Sequence, residues 1–275
     1  MKNFIKLTLG SFFIKVLPNR ANRIANTSMT IDSNNNWVDR LIRNTLLIKA
    51  EKEEDFEKIS EYHKNYWSNK GNAYFESNFN QNILNNFFIP NCSFLIDFIK
   101  NKLETSKEKY HTLIEIGTGD GSVLDYLQSE LIELKECIGI DLSIQQIEKN
   151  RLAYSANAKL KFVAADGFEW IENNTNSNLI IITSRGVLEY FTKNRILQFL
   201  ESLRQKKGSI IFIAIEPTNK NHDLLKNKDS IIHGSERSFS HNYLHLFKEK
   251  KYEIWHHSVI DYSEHLNFNI IVAHG

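Results

Sequence analysis

The sequence predicts an α/β fold: a seven-stranded, mostly parallel sheet with helices on both faces and a C-terminal antiparallel hairpin, preceded by a helical N-terminal extension. Three observations predict it. After Tyr110, short apolar runs alternate with helical patterns, as in a parallel sheet covered by helices. The last two apolar runs are separated only by Ile260–Asn267, too few residues for a helical crossover, so those strands should pair antiparallel. Before about Glu104 the apolar spacing is helical. The chain is therefore divided into a helical cap over 1–108 and a sheet domain over 109–275.

Taken in order, Phe4–Leu17 is strongly apolar, with Lys2, Lys6, Lys15, Arg20 and Arg23 in or beside it. The run is shorter than the roughly 20 residues of a membrane span. It lacks the uninterrupted apolar stretch and clear cleavage site of a secretory signal. At helical spacing its apolar residues fall nearly all round. It reads as a helix packed on the body of the protein or on a partner subunit. The competing expectation is an interfacial helix over residues 1–25, held at a membrane with help from the flanking cations. Ile31–Trp37 (IDSNNNW) is a polar break. Helical spacing then follows through Val38, Leu41, Ile42, Thr45 and Leu46, and again through Phe56, Ile59, Tyr62 and Tyr66. Tyr66–Asn80 is aromatic and polar without clear period, and Phe94–Ile99 resumes an apolar helix face.

Beyond Tyr110 the expected strands are Thr112–Ile116, Cys137–Ile140, Lys161–Ala164, Leu179–Thr183, Ser209–Ile215, Tyr252–Val259 and Phe268–Ala273. Helical patterns over Ser122–Glu130, Ile144–Leu152, Phe168–Glu172 and Lys193–Arg204 separate the first five. No internal repeat is visible.

A formal net charge of +1, with both signs spread along 275 residues, gives no basic excess for nucleic-acid phosphates. Lys206-Lys207 and Lys248–Lys251 read as solvated surface. Cys92 and Cys137 are far apart and form no CxxC pair, which argues against zinc ribbons and dithiol chemistry. Both read as small core residues. The setting expected is cytoplasmic, with peripheral contact at the inner membrane if the N-terminus meets lipid.

The chemistry concentrates in TLIEIGTGDG, Thr112–Gly121. Glu115 lies near the end of the first strand, and Gly117-Thr118-Gly119-Asp120-Gly121 leads into a helix. Glycines let a backbone turn sharply and bring amides and a helix N-terminus close to a ligand. About twenty residues beyond Gly121, the second strand ends in Asp141, placed to accept hydrogen bonds from ribose hydroxyls. The third strand ends in Asp166-Gly167, where an acid beside a small residue can receive an adenine amino group. Each acid falls at the carboxyl end of a strand, the rim where open α/β sheets bind ligands.

Across roughly Tyr110–Gly275 the sequence resembles the class I S-adenosylmethionine-dependent methyltransferases. The resemblance is carried by EIGTGDG, GIDLS, AADGF and the terminal YEIWHHSVIDYSEHLNFNIIVA. It implies S-adenosyl-L-methionine as cofactor. Glu115, Gly117, Thr118, Gly119 and Gly121 would form the cofactor loop, with Glu115, Gly117 and Gly119 lining the methionine end. Asp141 would bind the ribose and Asp166 the adenine amino group, with Leu142 and Gly167 flanking the ring. Ser184, Arg185 and Gly186 would sit beneath the sulfonium. Asn178 departs from the pattern, standing near where many members carry Asp. A nicotinamide site competes for the loop, but that fingerprint ends in GxxG, whereas Gly119 and Gly121 are two apart. Tyr66 and Lys70 form a YxxxK pair, yet they precede the loop.

With prolines only at 18, 90 and 217, no PPY motif follows the fourth strand, as amino-methylating DNA enzymes require. Neither cysteine is preceded by proline, and TSRGVLEY lacks the aspartate pair of the magnesium-dependent catechol type; no metal is expected. Methyl transfer to a hydroxyl needs alignment and a proton acceptor. The candidate bases are Glu189, Glu216, His233 and His241. His241 is expected to begin the helix before the hairpin, and Glu216 either holds a substrate hydroxyl or caps the Pro217 turn. Tyr66, Trp67, Tyr74 and Phe75 are candidate lid residues. The acceptor expected is a small-molecule or glycan-linked hydroxyl. An N-methyltransferase and a non-catalytic cofactor- or partner-binding module are the alternatives.

Overall fold

A computed structural model describes residues 2–29, 36–75, 82–175 and 178–275. In chain order the helices are α1 (Lys2–Val16), α2 (Pro18–Thr27), α3 (Trp37–Lys52), α4 (Phe56–Phe75), α5 (Ile89–Cys92), α6 (Phe94–Thr105), α7 (Ser122–Glu130), α8 (Ile144–Ala153), α9 (Gly167–Asn174), α10 (Lys193–Arg204) and α11 (Tyr243–Glu249). The strands are β1 (Thr112–Ile116), β2 (Glu136–Asp141), β3 (Leu160–Ala164), β4 (Leu179–Ser184), β5 (Ile210–Asn219), β6 (Ile231–His233), β7 (Ser238–Ser240), β8 (Glu253–Asp261) and β9 (Leu266–His274). The main sheet has the order β3-β2-β1-β4-β5-β9-β8. Its first five strands are parallel, and β9 pairs antiparallel with both β5 and β8.

Strand periodicity builds two cores. Ile180, Ile182, Ile211, Ile213, Ile270 and Val272 face α6, α7 and α8, while Leu179, Ile181, Ile210, Phe212, Ile271 and Ala273 face α9, α10 and α11. A strand buried on both faces reads as a continuous apolar run, which is why IIFIAI is legible as a central strand. Cys92 and Cys137 are unpaired and lie in the first of these cores.

Three details differ from the expectation. β5 continues through Pro217 to Asn219 rather than turning there. Its pairing with β4 ends at Ile215, so Pro217 faces only β9 and has no second neighbour demanding an N–H. The hairpin β6–β7 is additional, because three-residue strands leave too short a pattern to read. α4 runs on to Phe75, through the stretch whose apolar spacing fades, with Asn65 and Asn69 donating to Asn26 of α2, contacts that apolar spacing does not encode; residues 76–80 of that stretch lie outside the described residues.

The first four helices, α1–α4, form a cap with a small core of Ala21, Ile24, Met29, Ile42, Leu47 and Tyr62, whereas α5 and α6 pack on the sheet. Buried Asp39 accepts from Arg20 Nε at 2.6 Å, joining α2 to α3. Polar contacts then fasten the cap to the sheet domain. Arg43 donates to the Ser235 carbonyl at 2.8 Å, Ser60 Oγ to the Tyr190 carbonyl at 2.7 Å, and Thr192 Oγ1 to Glu57 at 2.8 Å. α4 is thereby held across the carboxyl ends of the parallel strands. The expected break at Ile31–Trp37 lies mostly outside the described residues.

Candidate functional site

The turn after β1 is built by local geometry. Gly117 and Gly121 adopt φ of +72° and +78°, a region that disfavours side chains. A Cβ on Gly117 would stand 2.6 Å from Val187, and one on Gly121 would stand 2.9 Å from both Phe162 and Tyr154. The Gly117 and Thr118 amides donate to the Ile140 carbonyl, which ties the turn to β2. Asn150, on α8, donates to the Gly119 carbonyl at 2.7 Å and itself accepts from Gln146. Gly121 caps α7 with no side chain, and Asp120 Oδ1 accepts from the first amide of that helix, Ser122, at 3.0 Å.

The three acids follow as the strand ends place them. Glu115 is buried, and its Oε2 accepts from Thr118 Oγ1 at 2.7 Å. Burial, more than the nearby Asp120 and Asp141 charges, pushes its carboxyl up to about 8. Asp141 accepts from the Gly119 amide at 3.1 Å and the Ser143 amide at 2.9 Å, so its carboxylate braces the glycine loop. Burial raises its pKa as well. Asp166 caps α9, with Oδ1 accepting from the Phe168 and Glu169 amides. Its Oδ2 accepts from Lys64 of the cap at 2.8 Å.

These residues share one cleft. Glu115, Gly117, Thr118, Gly119, Asp141, Leu142, Asp166, Gly167, Ser184 and Arg185 all line it. Gly121 shapes the turn from behind. Arg185 and Gly186 both have positive φ, +63° and +91°, where β4 turns across the cleft. The Arg185 guanidinium lies 5.2 Å from the Phe87 ring. Ser184 Oγ is buried with no hydrogen-bond partner among the described residues. Asn178, the departure from the motif, donates to the Lys109 carbonyl and accepts from the Ser209 amide, a join at the far end of β4.

The candidate bases separate. Glu189 lines the cleft, from a turn at Leu188–Tyr190. Burial and the Glu236 and Glu216 charges push its carboxyl up to about 8. His233 Nε2 stands 4.0 Å from Glu189 and 3.3 Å from Ser238 Oγ, behind it. Glu216 and His241 do not reach the cleft wall. Glu216 is fully buried, and its Oε2 accepts from the Val187 and Leu188 amides at 3.0 and 3.1 Å. It holds the backbone turn rather than capping Pro217. His241 precedes α11, whose N-cap is Asn242. Its Nε2 lies 3.1 Å from the Phe191 carbonyl and must donate, while Nδ1 accepts from Ser230 Oγ at 2.5 Å. Burial lowers its pKa to about 3, so the ring is neutral with both nitrogens engaged.

The cap closes one side of the cleft. Ser60, Lys64 and Trp67 fall at helical spacing on one face of α4 and line it. The Trp67 and Tyr190 rings are 5.6 Å apart and His63 lies 4.8 Å from Tyr190. Of the expected lid residues, Trp67 is on the wall and Tyr66 is buried behind it. The side chains of Tyr74 and Phe75 lie outside the described residues. Ser60, Lys64 and Asn150 were missed; their spacing on a helix was the available signal for the first two.

The model of the methyltransferase-domain family matches residues 90–271, most of the chain. The chain belongs to that family. It is a methyltransferase with a class I fold, an S-adenosylmethionine-dependent enzyme by that membership. The residues fit that cofactor: buried Glu115 offers a carboxyl to an ammonium, Asp141 and Asp166 stand at successive strand ends, and Ser184 Oγ is unspent. Among solved structures, the fold is similar to an S-adenosylmethionine-dependent methyltransferase from Leishmania major, at 13% identity and a TM-score of 0.52, over 79% of this chain and 82% of that one. Weaker likenesses include magnesium protoporphyrin IX methyltransferase from Synechocystis with bound S-adenosylmethionine (10% identity, TM-score 0.44, 98% and 96% covered). Another is geranyl diphosphate C-methyltransferase from Streptomyces coelicolor (9% identity, TM-score 0.46, 66% and 79% covered). No curated protein matches the sequence significantly. Among the described residues, no helix is long and apolar enough to cross a membrane.

Proposed function

We propose that this methyltransferase acts on a hydroxyl of a small molecule or glycan-linked sugar, with Glu189 as the proton acceptor. The observation that carries the proposal is the Glu189 carboxyl on the cleft wall, raised to about 8 by burial and neighbouring carboxylates. A base poised near the working pH both accepts and releases protons readily. When bound, the cofactor supplies an electrophilic methyl on a sulfonium whose charge is lost on transfer. Glu115, Asp141 and Asp166 bind and orient it from three strand ends. Trp67 and Tyr190 offer aromatic faces to the acceptor, which suit a sugar ring. The α4 face excludes water from above. As the acceptor oxygen bonds to the methyl, its proton passes to Glu189, with Ser238 and His233 behind to share it. A cytoplasmic setting accords with the two unpaired, buried cysteines.

One observation also favours an amine acceptor: a carboxyl beside two aromatic faces holds an ammonium as well as it takes a hydroxyl proton. Labelled S-adenosylmethionine with a panel of hydroxyl and amine acceptors separates the two. Label on oxygen in the product, and its loss in Glu189→Gln, is the expected result. Label on nitrogen alone would replace O-methylation with N-methylation.

A further inference from the structure

α1 is apolar nearly all round, and the structure divides that surface into two faces. One packs on α3 so closely that a Cβ on Gly10 would collide with Thr45 Oγ1, at 1.9 Å. Phe13 and Ile14 pack into the cap core on the same side. The opposite face is open: Ile5, Leu9, Phe12 and Val16 are 51%, 43%, 56% and 50% exposed. Their spacing puts them within an arc roughly 60° wide at 3.6 residues per turn. Trp37, at the start of α3, is 63% exposed and packs its ring 5.6 Å from Phe13, which extends the patch.

The charges around this stripe say what covers it. On the helical wheel Lys6 falls to one side of the stripe and Lys15 to the other, roughly 90° from its centre in each case. Both are exposed, and neither pairs with a described acid. Residues 1–29 carry Lys2, Lys6, Lys15, Arg20 and Arg23 and no Asp or Glu. Arg20 and Arg23 lie against Asp39, so Lys6 and Lys15 are the charges that flank the stripe, and a second copy of the chain would set them against the same lysines. An anionic surface with an apolar layer beneath it would satisfy both features at once. Tryptophan suits the boundary between them.

We infer that α1 seats this enzyme on an anionic lipid bilayer, with Ile5, Leu9, Phe12 and Val16 in the acyl boundary and Lys6 and Lys15 at the headgroups. No described helix spans, so the contact is peripheral and reversible. It is independent of the acceptor reading, since no residue of the stripe lines the cleft.

The test is co-sedimentation of the full chain with phosphatidylcholine vesicles, with and without about a third phosphatidylglycerol, at low and high salt. We expect binding to the anionic vesicles at least tenfold stronger than to the neutral ones, and weaker in high salt. Leu9→Glu/Phe12→Glu should abolish it, and Lys6→Gln/Lys15→Gln should reduce it, with melting temperature and S-adenosylmethionine affinity unchanged. Equal sedimentation of wild type and the Leu9/Phe12 variant would overturn the inference. So would light scattering that shows a dimer dissociated by that variant, because a second copy would then cover the stripe.

Discussion

Lys64 Nζ, on a helix of the cap, lies 2.8 Å from Asp166 Oδ2 at the end of β3. It also lies 3.3 Å from Glu169. The cap thus reaches the strand end proposed to receive the adenine amino group. A carboxylate oxygen has two lone pairs, so Oδ2 can accept an adenine hydrogen without releasing Lys64. Meanwhile Oδ1 is engaged at the N-terminus of α9.

Those roles separate by substitution. Asp166→Asn keeps an N-cap acceptor, so stability should change by less than about 1 kcal/mol, the lost bridge being half exposed. S-adenosylmethionine affinity should fall about tenfold, as for losing one hydrogen bond to a charged group. Asp166→Ala should lose the same affinity and a further ~1 kcal/mol of stability through the cap. Calorimetry and thermal melts read both. Wild-type affinity in Asp166→Asn would remove Asp166 from the adenine site.

Glu115 should make cofactor binding pH-dependent. Its carboxyl, raised to about 8, is largely protonated at neutral pH. A cationic ligand prefers the carboxylate, so binding must expel the proton. Affinity should therefore rise with pH by up to about tenfold per unit below 8 and level off above it. Glu115→Gln should bind more weakly and flatten that slope. Proton release at pH 7, read by calorimetry in buffers of different ionisation enthalpy, is an independent check.

The buried carboxyls also shape stability. Glu115, Glu189 and Glu216 sit at about 8, 8 and 7, all above their unfolded values. Between about pH 4.5 and 8 the unfolded chain releases these protons first. The stability they contribute is full at low pH and is lost as pH rises through the folded values. Melting temperature of the free enzyme should fall across that window. Glu189→Gln and Glu216→Gln should each flatten it. In the Glu216→Gln variant the side-chain amide oxygen still accepts from the Val187 and Leu188 amides, so the turn is kept while the titration is removed.

His241 and Glu189 should divide cleanly in pH-rate profiles. Glu189→Gln removes the base, so kcat should drop by roughly 100-fold or more and the rise towards pH 8 should vanish. His241 anchors the Phe191 carbonyl and so positions the turn that carries Glu189. His241→Ala should cost about 1–3 kcal/mol of stability and lower kcat, yet keep the wild-type pH profile. A profile that moves in the His241 variant and not in the Glu189 variant would reverse the assignment.

What was legible in the sequence is what local pattern encodes. The acids at the ends of β1, β2 and β3, and the glycine turn, follow from strand period and spacing alone. His241 looked like a helix-start base because position along the chain does not tell which way a ring faces. Its burial depends on Ser230 and Phe191, in other loops of the sheet domain. Lys64 and Ser60 were hidden for the same reason. They join the cleft only because Arg43, Glu57 and Ser60 clamp the cap to loops more than a hundred residues away.

The cleft around Gly119 and Asp141 should bind S-adenosylmethionine. Calorimetric titration of the purified chain with S-adenosylmethionine, for wild type, Asp141→Asn and Asp141→Ala, tests it most directly. Wild type should show one saturable site and both variants at least tenfold weaker binding, with melts showing each variant folded. No heat of binding in wild type, or equal affinity in all three, would contradict it.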